Sequence, residues 1–132
     1  MHAQVNGIVK KDVDSFVSLL ITKFGAIIET NGSVIDDRYE VKVKFPDTFN
    51  DESMKDIIKY KDSKYILLKN GWRSTVFSGG DEHYKCSFRK MIENDDFAFI
   101  SIYFISGGSL YKFDNNKWGK KYILTCSGYT LN

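Results

Sequence analysis

Proline occurs once in the 132 residues, arginine three times, and histidine and cysteine twice each. Each shortage removes a class of function. Arginine is the residue of bidentate phosphate and base recognition, so three arginines beside sixteen lysines argue against sequence-specific reading of duplex DNA. Cys86 and Cys126 stand forty positions apart with no Cys-x-x-Cys pair, which excludes the usual zinc spacings and a disulfide-dense secreted scaffold. They read as two buried free thiols. His2 and His83 are the only side chains that titrate near neutrality unaided, and one lies at the terminus while the other follows Gly79-Gly80, so they read as solvated rather than as an acid-base pair. No stretch of 18 consecutive apolar residues appears, and residues 1–11 lack a basic segment followed by an apolar run and cleavage site. The expectation is a cytoplasmic protein with no membrane partner.

What the chain does contain is aromatic. Phe, Tyr and Trp make up 15% of it, with 42% apolar and 27% charged residues overall, which suits a folded, sheet-rich chain and neither disorder nor a coiled coil. The length gives one domain, 1–132, since either half alone would bury too little surface. A net charge of +2 does not by itself call for a polyanion.

Val13, Phe16, Val17, Leu20, Ile21 and Phe24 recur at offsets of three and four, so the spacing predicts an N-terminal helix capped at Asp12 or Asp14 and stopped by Gly25. Asn31-Gly32 signals a hairpin between 26–30 and 38–45; in the second arm Tyr39, Val41, Val43 and Phe45 alternate with Glu40, Lys42 and Lys44. A short second helix is expected near 51–60, with a cap at Asn50 or Asp51 and Met54, Ile57 and Ile58 inward. Asn70-Gly71 reads as a hairpin between strands 64–69 and 72–78. Further strands are expected at 84–92, 97–105, 110–113 and 121–127. The run 97–105 is apolar on both parities, which reads as a central strand covered on both faces. The fold class is therefore α+β: an N-terminal helix on a twisted antiparallel sheet of about six to eight strands, with a partial barrel or a sandwich among the closures it allows.

Several chemistries meet a plainer alternative. Pro46-Asp47 followed by Asp62-Ser63-Lys64 has the order of a divalent-metal nuclease, but Asp62 precedes its strand, and such short patterns are common in a chain rich in Asp and Lys. Cys86 alternates with Tyr84 and Phe88, the setting of a core thiol rather than a nucleophile. Gly79-Gly80 and Gly107-Gly108 lack phosphate-loop spacing and read as turns. No catalytic residue, metal or cofactor is assigned.

The expectation is a non-enzymatic binding protein, first of all a protein-protein inhibitor of the immunity, antitoxin or phage anti-defence type, whose partner is another protein such as a basic toxin or nuclease. Two patches suit it. Asp47, Asp51, Glu52 and Asp56 form an acidic end, and Lys117, Trp118, Lys120 and Lys121 a basic-aromatic one. Two alternatives stay open: a single-stranded nucleic-acid-binding module, from Lys59-Tyr60-Lys61, Lys64-Tyr65 and 117–122, and a structural domain that pairs with itself.

Overall fold

The computed structural model describes residues 7–35, 38–58, 67–79, 83–92, 97–106, 111–112, 118–119 and 122–131. One long helix, α1 (Gly7–Phe24), precedes strands β1 (Ile27–Ile35) and β2 (Arg38–Lys44), a short helix α2 (Asp51–Ile58), and strands β3 (Arg73–Gly79), β4 (His83–Met91) and β5 (Phe97–Ser106). Two-residue strands β6 (Tyr111–Lys112) and β7 (Trp118–Gly119) pair with each other, and β8 (Tyr122–Leu131) ends the fold. Six strands form one sheet in the order β1-β2-β8-β5-β4-β3, all antiparallel. The architecture is α+β, and no helix among the described residues is long and apolar enough to cross a membrane.

β3, β4 and β5 form the expected local meander, but β8 enters the middle of the sheet, between β2 and β5. Registers align one apolar row after another across this junction: Val41 faces Cys126, Cys126 faces Ile102, and Ile102 faces Cys86. Cys86 and Cys126 are thus two strands apart, about 10 Å at the usual inter-strand spacing, beyond the reach of a disulfide. Both are free and buried.

α1 lies across β2, β5 and β8. It begins at Gly7, more than a turn before the expected cap, because the apolar stripe extends back to Val9. Asp12 therefore caps nothing. It shares the buried stripe with Val9, Val13 and Phe16, and its carboxylate accepts hydrogen bonds from the Trp72 indole at 2.6 Å and the Asn70 amide at 3.4 Å. Asp14 is likewise within the helix and accepts the Tyr39 hydroxyl at 2.6 Å. Gly128 lets the helix come this close: a Cβ there would run into Val9 Cγ1. The helix ends as expected at Gly25, with φ of 69°, and the Gly25 and Ala26 amides return to Ile21 and Leu20. Ile21, expected in the core, is exposed.

Two hairpin readings are corrected. β1 runs straight through Asn31-Gly32, absorbing it in register shifts between Ile28 and Ser33, and the β1–β2 pairing closes at Ile35 and Arg38. Gly32 is needed where it sits because the Tyr39 hydroxyl occupies the place of a Cβ. Likewise 67–69 is a helical turn, not a strand: the Asn70 and Trp72 amides bond to the Leu67 carbonyl, and Gly71, with φ of 91°, ends it. Residues 64–66 lie outside the described residues. α2 forms as expected, capped by Asn50, whose side-chain oxygen accepts the Ser53 amide at 3.0 Å. Phe45, Phe49 and Phe104 stack beside it.

Candidate functional site

Among the described residues, this chain covers β5 on one face only. Ala98, Ile100, Ile102 and Phe104 are buried under α1, whereas on the opposite parity Tyr103 and Ile105 are exposed and Phe97 and Phe99 only half-buried. Among the described residues no element lies over this second face. Its composition follows from register. Neighbouring strands carry their charged parity on the same side, so β5's second apolar set is flanked by cations: Arg38, Lys42 and Lys44 on β2, Lys85 and Arg89 on β4, Arg73 on β3. Glu40 is the one carboxylate that these strands and β8 set among them.

The face is ordered in cross-strand rows. Arg73 pairs with Arg89, Arg89 with Phe99, and Phe99 with Tyr129. Arg38, on the far side, lays its guanidinium over the Tyr129 ring, 4.6 Å from the centroid. The Phe99 and Tyr129 rings stack at 5.3 Å with planes 20° apart, so Arg38, Tyr129 and Phe99 form one continuous stack. Arg89 sits 5.1 Å from the Phe97 centroid. All three arginines of the chain therefore belong to one row, which at about 4.8 Å per strand crosses roughly 19 Å of sheet.

The next row is small and polar. Ser87 pairs with Ser101, Ser101 with Ser127, and Ser127 with Glu40. Beyond it Lys85, Tyr103, Thr125 and Lys42 form a third row. Ser101 and Ser127 thus floor a shallow depression of about 410 Å³, walled by Arg38, Glu40, Lys85 and Tyr103. Arg73, Arg89 and Phe97 line a second one of about 360 Å³ at the end of the sheet. His83, expected to be solvated, is exposed here on β4 with its ring 6.3 Å from Tyr103.

Of the two patches anticipated from sequence, only the acidic one has described side chains, and it lies at α2. Asp47 is half-buried in the turn before α2; Glu52 and Asp56 are exposed on α2, with Glu52 3.7 Å from the Lys55 ammonium. Asp51 opens the helix, and its side chain lies outside the described residues, as do Lys117, Lys120 and Lys121. Trp118 is placed by its backbone alone, opposite Lys112 in the β6–β7 ladder. Asp62 and Lys64 of the nuclease pattern are also outside the described residues, and among those described no group of three His, Cys, Asp or Glu could hold a metal.

Sequence reasoning missed the row because its members come from five strands. The one available signal was the alternation of His83, Lys85, Ser87 and Arg89 with Tyr84, Cys86 and Phe88, which marks β4 as polar on the face where β5 is aromatic. Comparison with protein-family models, curated proteins and solved structures finds no match for this chain.

Proposed function

We propose that this chain is a non-enzymatic binding protein and that its docking surface is the face of the sheet opposite α1. The observation that carries the reading is the composition of that face: rings and guanidinium groups in register beside a serine-floored depression, with no described element over them. Leaving aromatic side chains half in water forgoes burial free energy that a partner can recover. Six cations against Glu40 then select for a partner of negative charge and speed its encounter.

The inhibitor role expected from sequence is a narrower form of this reading, in which binding blocks the partner's own site. A basic toxin is matched by Glu52 and Asp56 on α2 rather than by the cationic sheet face, so the two surfaces imply different partners. Self-association through the sheet face is disfavoured, since an isologous pair would bring two sets of cations together.

Affinity capture from the source cells separates these readings. Ser101→Trp, which fills the floor of the depression, is expected to abolish capture of the specific partner, and the double variant Glu52→Lys/Asp56→Lys to leave it intact. The reverse pattern would move the docking surface to α2.

A further inference from the structure

Resting on that binding role, the geometry points to a single-stranded nucleic acid as the occupant of the uncovered face. The charge balance requires an anion, but charge alone would be met equally by an acidic peptide. The rings decide between them. Arg38, Tyr129 and Phe99 already make a stack of flat groups across three adjacent strands, and a nucleobase extends such a stack with its own π-face. A carboxylate side chain could satisfy the cations and would leave the rings with nothing of matching shape. A duplex is the poorer fit for the opposite reason, since its bases are already stacked on each other.

The arginines sit where a backbone would run. Arg73 and Arg89 lie on one side of Phe99 and Arg38 beyond Tyr129, so phosphates of a strand crossing the sheet meet cations at both ends of the aromatic pair. Guanidinium planes also stack on bases, which makes arginine more useful than lysine here. Sixteen lysines are available to the chain, yet the row itself holds its three arginines and no lysine. Serine hydroxyls and Glu40 in the adjoining depression provide the donors and the acceptor that a sugar hydroxyl or an exocyclic amino group needs.

The test is fluorescence anisotropy with labelled oligo(dT) and oligo(U), a duplex of the same length, and poly-glutamate as a charge-matched probe. Binding of a single strand is expected, at least tenfold tighter than of duplex or poly-glutamate. Tyr129→Ala and Phe99→Ala should each weaken it about tenfold. Arg38→Glu and Arg89→Glu, both at exposed positions, should weaken it further and flatten its salt dependence by about 0.7 in the log–log slope for each phosphate no longer neutralised. Lys11→Glu on α1 controls for net charge and should do neither. Absence of single-strand binding, poly-glutamate binding of equal strength, or a loss caused equally by Lys11→Glu would overturn the inference. Each of these leaves the binding role standing if Ser101→Trp still abolishes capture from cells, so the two readings fail separately.

Discussion

Phe104 and Tyr103 are neighbours on β5 and opposites in setting. Phe104 has no exposed surface and stacks on Phe45 and Phe49 under the helical layer, whereas Tyr103 keeps 36% of its surface in solvent beside the serine-floored depression. Both parities of β5 are apolar, so the strand's own pattern does not separate them. What separates them is the company each face keeps. On one side the neighbouring strands offer Val41, Cys126 and Cys86; on the other they offer Arg38, Lys42, Lys85 and Arg89. Burial in a sheet is a property of rows across strands, and a strand is apolar on both sides either to be covered twice or, as here, to place rings among charges.

That contrast can be broken most sharply at its centre. Phe104→Ala should destabilise the fold by about 3 to 5 kcal/mol, through lost transfer free energy and the cavity left among stacked rings, while Tyr103→Ala should change stability by less than about 0.5 kcal/mol. Urea denaturation of both variants checks this; equal losses would mean that the second face is covered after all.

A smaller effect is expected at the polar seam between α1 and the start of β3. Asp12 is buried, and its carboxylate satisfies the buried Trp72 indole. Asp12→Ala strands that donor and should cost about 2 kcal/mol, whereas Asp12→Asn keeps an acceptor and should recover part of the loss. If Asp12→Ala were instead stabilising, desolvation of the carboxylate would outweigh its hydrogen bonds.

The smallest effect emerges only in alkali. Burial, then the hydrogen bond to Asp14 and its charge, push the Tyr39 phenol up to about 12 from an ordinary value near 10. The folded state thus holds this proton to higher pH than the unfolded chain does. The associated stabilisation is complete below about pH 10 and is lost as pH rises through the folded value. Stability of the parent should fall across that window, and that of Tyr39→Phe should fall less. A parallel decline in both would show that the phenol's ionisation is not what destabilises the fold there.

Much of the local structure was legible because it depends on near neighbours. The stripe from Val13 to Leu20, the stop at Gly25, the cap at Asn50, the alternation along β2 and the core setting of both cysteines follow from residues within a turn or a pleat of each other. Misreadings arose where a local signal met a longer-range demand. Asn31-Gly32 has hairpin chemistry, yet the Tyr39 hydroxyl needs the space of its missing Cβ and the strand carries on. Asp12 has capping chemistry, yet Trp72, sixty residues away, claims its carboxylate.

An α+β chain, the helices α1 and α2, the buried thiols and the sets of residues that share a face of each strand all follow from the order of residues alone. Which face is covered, and what the other displays, depends on how the strands assemble. The insertion of β8 between β2 and β5 sets that outcome, because it places Tyr129 beside Phe99 and brings Arg38 within 4.6 Å of the Tyr129 ring. Parity along a strand is fixed by the two-residue repeat of the backbone. Strand order and register are fixed by the summed packing of whole rows, and no local stretch of the chain contains that sum.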